Sequence, residues 1–225
     1  MLRFRSGPVR RRAGWLAGLL LASSLAACDA RDDSRSAGDP EVTAARLGLA
    51  ATALPAPLPR PEFSLTDTEG RAYDFRSATA GRITLLFFGY TSCPDICPVQ
   101  LGSLAAGLRQ LPASVRDEIV VVFVGVDAER DRPERVREWL DHFDPRFVGL
   151  TGSEEQLAAA QRAALVPTAF VEARGPDGSY IVAHASWVLV YTPDDQAHLR
   201  YGTGTTAAQW AHDLGVLAEQ GWPAA

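Results

Sequence analysis

The sequence predicts an α/β domain with a mixed sheet flanked by helices. Three observations carry that prediction. Two continuous apolar runs, Ile83–Tyr90 and Ile119–Val126, have the length and composition of strands covered on both faces. Between and after them lie stretches whose apolar residues recur at helical spacing. Short alternating segments bounded by turn residues read as extra hairpins near the N- and C-terminal ends of the domain.

Ahead of the domain, the first twelve residues hold five Arg (Arg3, Arg5, Arg10, Arg11 and Arg12) and no acid. The apolar run from Gly14 to Ala27 has fourteen residues, too few for a helix to cross a hydrocarbon core, which takes about twenty. A basic start, a short apolar centre and small residues at the end are the parts of a secretory signal, here residues 1–27. Its last residues, Leu25-Ala26-Ala27-Cys28, resemble the lipobox of bacterial lipoproteins. That resemblance makes Cys28 the site of lipid attachment and places the protein on the periplasmic or extracellular face of a membrane. Asp29 favours the inner membrane.

Residues 28–61 pass from a polar stretch to an Ala/Pro mixture and read as a flexible tether, with a helical turn or two around Glu41–Leu49. A chain of this length spans roughly 30 Å, enough to hold a domain away from a bilayer. Residues 62–225 suffice for one domain with its own core.

Within it, Phe63–Phe75 alternates about a Thr-Glu-Gly turn and predicts the first hairpin. Gln100–Leu111 carries Leu101, Leu104, Leu108 and Leu111 on one helical face. Pro133–Phe143 is a charged amphipathic helix, and Phe147–Leu150 a short strand. Ser153 is suited to cap a helix reaching Leu165, with Glu154 and Glu155 in its positive first turn. Ala169–Glu172, Tyr180–Ala183 and Trp187–Tyr191 read as strands, with turns at 175–178 and 193–195. A last helix covers Thr206–Glu219.

The chemistry concentrates in Phe88-Gly89-Tyr90-Thr91-Ser92-Cys93-Pro94-Asp95-Ile96-Cys97-Pro98, which runs off a buried strand into a helix. Pro94 suits a first helical position and Asp95 the positive helix end. Two Cys four apart in a helix would put both thiols on one side, with Cα atoms roughly 6 Å apart. A helix N-terminus also lowers thiol pKa. Such a pair can cycle between dithiol and disulfide, or hold a soft metal with a third ligand. With Cys28 lipidated, Cys93 and Cys97 are the remaining pair in an oxidising compartment.

Four His could supply that ligand. His142, on the charged helix, His198, in a polar turn region, and His212, on the last helix, read as surface or helix-end residues. His184 opens an apolar strand. From its position alone, a strand-end His is more often a hydrogen-bonded structural residue than a ligand.

The Cys-bearing run resembles the signature of the Sco/SenC family of membrane-tethered copper proteins. Val126-Asp127-Ala128-Glu129-Arg130-Asp131-Arg132-Pro133, Thr151-Gly152-Ser153 and the late His184 continue the match, which spans about Phe63 to Glu219. The resemblance implies a thioredoxin-like fold and one copper ion per chain, Cu(I) or Cu(II), on Cys93, Cys97 and His184. Asp127 matches an acidic position near that site, although an Asp that caps the next turn serves equally well. Two departures, Ala183 before the His and the stretch Pro167–Ser179, bear on the surroundings and the partner surface. The resemblance further implies a metallochaperone that delivers copper to the dinuclear site on subunit II of cytochrome c oxidase or to a related copper enzyme. Other copper chaperones and thioredoxin-like reductants are further partners. The rival function, with the same Cys93–Cys97 disulfide as its redox centre, is a thiol–disulfide oxidoreductase keeping the oxidase cysteines reduced. A peroxidase would need an Arg/Thr pocket about a reactive Cys that the sequence does not identify.

Charge excludes one other class. All 22 basic residues are Arg, against 27 acids. Removing the first twelve residues leaves 17 Arg and a net charge of −10, which repels nucleic-acid phosphates. With 47% hydrophobic and 22% charged residues, the chain is neither a disordered tail nor a multi-span membrane protein.

Overall fold

The computed structural model describes residues 39–223; the expected signal, Cys28 and the first part of the tether lie outside them. The described chain opens with α1 (Pro40–Arg46), where the Asp39 carboxylate accepts from the Glu41 amide at 2.9 Å. Strand β1 (Thr52–Pro59) follows, then the hairpin of β2 (Ser64–Asp67) and β3 (Ala72–Asp74), and the short helix α2 (Phe75–Thr79). Strand β4 (Ile83–Gly89) leads through the Cys loop into α3 (Ile96–Leu108), and α4 (Ala113–Arg116) leads into β5 (Ile119–Gly125). Next come α5 (Pro133–Asp141), β6 (Val148–Thr151) and α6 (Glu154–Ala163). Two hairpins then follow, β7 (Phe170–Arg174) with β8 (Tyr180–Ala183) and β9 (Val188–Tyr191) with β10 (Gln196–Tyr201), before α7 (Ala207–Gln220).

Eight strands form one sheet in the order β1-β10-β9-β4-β5-β6-β2-β3, and β7 and β8 form a separate ribbon. β5 pairs in parallel with β4 and β6, while the other neighbours are antiparallel. Every residue of β4 and β5 is buried, because both faces of these central strands are covered. Their side chains alternate between two cores. Leu85, Phe87, Val121 and Phe123 pack with Leu101 and Leu104 of α3, Val136 of α5 and Trp210 of α7. Leu86, Phe88, Val122 and Val124 pack with Phe75 and with Leu157 and Ala160 of α6. On α3, Leu101, Leu104 and Leu108 form the buried stripe, and each contributes roughly 1.5–3 kcal/mol by leaving water. The cap expected at Ser153 is present, and Thr206, expected inside the last helix, caps it instead; each accepts from a backbone amide within a full capping box.

Two stretches depart from expectation. Thr52–Pro59, assigned to the tether, is an edge strand paired with β10, with Ala53 and Leu54 buried. Its Pro residues disguised it; at a sheet edge, however, a missing N–H need not break any ladder hydrogen bond. The ordered body therefore starts well before residue 62. His198 lies not in a polar turn but inside β10, buried, against the Asp194 carboxylate at 2.7 Å and stacked on Trp222. Its polarity is satisfied internally, so the segment reads as a loop and folds as a strand.

Candidate metal centre

Parallel strands β4 and β5 end at Gly89 and Gly125, which are register partners, and the candidate site lies just beyond them. Each glycine makes room for side chains of the site: Gly89 for Cys97 beside Phe123 and Phe87, Gly125 for Asp131. A Cβ at Gly89 would come within 3.0 Å of the Cys97 sulfur, and one at Gly125 within 2.8 Å of the Asp131 side chain.

The spacing predicts that the Cys pair shares a helical turn, and the structure corrects this. Helix α3 begins at Ile96, so Cys97 sits in its first turn while Cys93 remains in the loop before it. Asp95 occupies the cap position without a side-chain hydrogen bond. The Cys97 amide is thus left to donate to the Cys93 sulfur, at 3.4 Å. Helix-end amides carry partial positive charge and stabilise an anion there.

The two thiols differ sharply. Cys93 is half-buried and Cys97 fully buried; both are free. The hydrogen bond from the Cys97 thiol is the largest cause that pushes Cys93 down to about 4. Burial opposes that shift, while the Cys97 and Asp95 amides and His184 assist it. Cys97 moves the other way, raised by the same hydrogen bond and by burial. Cys93 is the thiolate, and Cys97 is the thiol that serves it.

His184 follows directly on β8. Its Nδ1–H donates to the Ala185 carbonyl at 2.9 Å, which leaves the Nε2 lone pair facing the Cys97 sulfur at 3.5 Å. The ring stands edge-on to Tyr90, with centroids 5.5 Å apart, and Phe87 packs beside it at 6.0 Å. The sulfurs of Cys93 and Cys97 and a His184 nitrogen all lie within 4.8 Å of one another. Two soft sulfurs and one imidazole with its lone pair free form a donor set suited to copper or zinc. Among the described residues no other group of His, Cys, Asp or Glu was found that could hold a metal.

The remaining sequence candidates fall outside this triangle. Asp127 is buried in the turn after β5, where it accepts from the Tyr180 hydroxyl at 2.9 Å and pairs with Arg130. His142 ends α5, exposed, and His212 pairs with Asp213 on α7. Sequence reasoning passed over Asp131. Its carboxylate accepts from the Thr91 amide at 3.0 Å and the Thr91 hydroxyl at 2.7 Å, and so holds the loop that carries Cys93. Burial raises the pKa of this carboxylate, while the hydrogen bonds from Thr91 oppose the shift. The sequence carried its signal in the second Asp of the Asp127-Ala128-Glu129-Arg130-Asp131 run.

The model of the SCO1/SenC family matches residues 52–219. The chain belongs to the SCO1/SenC family. The mitochondrial SCO2 homologue of Homo sapiens is 39% identical over 155 residues, covering 66% of this chain and 55% of that protein. This chain spans between 44% and 68% of the length of the curated relatives it matches. Among solved structures, apo Sco1 from Thermus thermophilus superposes with a TM-score of 0.67 at 32% identity, covering 75% of this chain and 96% of that one. The structure of Bradyrhizobium japonicum ScoI with copper bound gives a TM-score of 0.61 at 30% identity, covering 70% and 98%. The thioredoxin-like expectation from the sequence is borne out by these SCO1/SenC structures. Among the described residues no helix is long and apolar enough to cross a membrane.

Proposed function

We propose that this SCO1/SenC protein binds one copper ion through Cys93, Cys97 and His184 and delivers it to the dinuclear copper site of cytochrome c oxidase subunit II, or to a related copper enzyme. The observation that carries the reading is the convergence of two sulfurs and one imidazole within 4.8 Å, with the imidazole tautomer already set for ligation. The relative with copper bound, at 30% identity, supports the choice of metal. Thiolates hold Cu(I), and the imidazole helps to accommodate Cu(II). A site with one half-exposed sulfur at a strand–helix junction suits transfer by ligand exchange, in which an acceptor's donors replace these one at a time. Oxidation of the pair to a disulfide would remove the copper-binding thiolates. The Cys28 lipid anchor would keep the domain at the outer face of the inner membrane, within reach of a membrane-bound acceptor.

The test is an anaerobic Cu(I) titration of the reduced full chain against a competing chelator. One tight copper per chain is expected. Replacing Cys97 by Ala should weaken it about a hundredfold, since each ligand of a structural thiol site contributes roughly 3 kcal/mol. Binding that survives the substitution unchanged would remove the reading.

One observation favours a second reading. Cys93 is a half-exposed thiolate with a buried thiol directly behind it, the asymmetry of an attacking and a resolving cysteine. Cys93 would attack an acceptor disulfide, and Cys97 would then release the reduced acceptor while Cys93–Cys97 becomes oxidised. The Cys97→Ala chain should then accumulate a mixed disulfide with an oxidised acceptor peptide. Failure to trap one would set this reading aside.

A further inference from the structure

The ligands reach the centre on two separate segments: the loop after β4 with the first turn of α3 carries both Cys, and the exit of the β7–β8 ribbon carries His184. That ribbon is not part of the main sheet. Something other than strand pairing must fix its position relative to the thiols, and the turn after β5 touches both segments. Asp131 accepts twice from Thr91, two residues before Cys93. Asp127 accepts from the hydroxyl of Tyr180, four residues before His184. The two carboxylates are linked through the Asp127 amide, which donates to Asp131 at 3.3 Å. Arg130, between them in sequence, pairs with Asp127 and donates to the Tyr180 carbonyl at 3.3 Å, its guanidinium 3.6 Å from the Tyr180 ring centroid. Arg174 covers the same ring at 4.2 Å and pairs with Glu129 at 2.7 Å, closing the ribbon onto the turn from outside.

We propose that the turn Asp127–Asp131 is a two-armed brace for the metal centre, in which Asp131 positions the thiol loop through Thr91 and Asp127 with Arg130 positions His184 through Tyr180. These are positioning residues; none of them touches the metal. Asp127 and Asp131 are almost fully buried, and hydrogen bonds to charged acceptors are among the stronger ones. Separate arms let the imidazole be displaced while the thiols stay fixed. The inference rests on the three-ligand reading for its purpose, but its mechanics can be measured without metal.

Tyr180→Phe removes only the hydroxyl of the His184 arm and keeps the ring between its two Arg. Asp131→Asn weakens the thiol arm, with Thr91→Val as the alternative if that protein does not fold. Amide hydrogen exchange of the metal-free full chain reads the mechanics directly. Tyr180→Phe should speed exchange over residues 180–186 about tenfold, the scale of one such hydrogen bond, and leave 91–97 unchanged. The thiol-arm variant should do the reverse. Cu(I) affinity then tests the purpose: Tyr180→Phe should cost about tenfold when His184 is present and nothing in a His184→Ala background. The thiol-arm variant should cost the same in both backgrounds. Loosening of both segments together by either variant, or no change in exchange, would overturn the brace. Equal copper loss from Tyr180→Phe in both backgrounds would equally overturn it, because the arm would not be acting through His184. Intact exchange behaviour with no copper binding at all would instead count against the copper reading and leave the brace standing.

Discussion

At the Thr84 end of β4, Arg60 is buried with all five of its guanidinium N–H groups engaged. They donate to Asp195, to the hydroxyls of Thr79 and Thr84, and to the carbonyls of Arg82 and Thr192, at 2.7–3.0 Å. At the Gly89 end of the same strand, the sulfurs of Cys93 and Cys97 and a nitrogen of His184 converge within 4.8 Å of one another, with the His184 Nε2 facing the Cys97 sulfur. Both clusters place polar atoms in a protein interior, where an unsatisfied group is costly. The difference lies in the partners. A cluster whose donors are all matched by hard oxygen partners from within holds the fold, while two sulfurs and an imidazole that face chiefly one another form a donor set suited to a soft metal.

Breaking the matched cluster should have the largest effect. Arg60→Ala leaves two buried hydroxyls and two carbonyls without their donor. We expect a loss of about 3 kcal/mol, toward the low end for a buried ion pair because Asp195 keeps a third of its side chain in water. That corresponds to a Tm lower by roughly 10 °C in thermal unfolding, with copper affinity of the folded protein unchanged.

Gly89→Ala sharpens the comparison from the other end. The added methyl would sit 2.8 Å from the Phe123 ring and 3.0 Å from the Cys97 sulfur. It should destabilise the fold by about 1–3 kcal/mol through overpacking, seen in urea unfolding. Unlike Arg60→Ala, it should also weaken copper binding, because a ligand sulfur must move.

The smallest effect concerns protonation alone. With the folded pKa of Cys93 lowered to about 4, its thiolate is the reactive form above that pH. Alkylation of Cys93 in the metal-free chain should therefore be near its plateau at neutral pH and fall as pH drops through about 4. Buried Cys97 should stay unmodified until the chain unfolds. A Cys93 profile that rises only near pH 9 would contradict the hydrogen bonding of its sulfur by the Cys97 thiol and by the Cys97 and Asp95 amides.

The same contrast governs what was legible in the sequence. β4 and β5 were readable because burial on both faces leaves an unbroken apolar run, and the Ser153 cap follows a local rule. Cys93, Cys97 and His184 were legible as a set through the family signature; spacing alone left His184 undecided between a structural role and a ligand. β1 and β10 were hidden because their strand character comes from pairing with each other and with β9. Pro and polar residues there are compensated by position, which local patterns do not encode. The brace was hidden for a similar reason. Asp131 meets Thr91 and Asp127 meets Tyr180 across 40 and 53 residues of sequence.

The central claim is that the imidazole of His184 completes a copper site built on the Cys pair. Its most direct test is Cu(I) affinity of the full chain with His184→Ala, measured beside the rate at which the same variant forms and reduces the Cys93–Cys97 disulfide. The account predicts copper binding weaker by about tenfold or more, with thiol chemistry intact. Unchanged copper affinity would contradict it and leave His184 a structural residue of the ribbon.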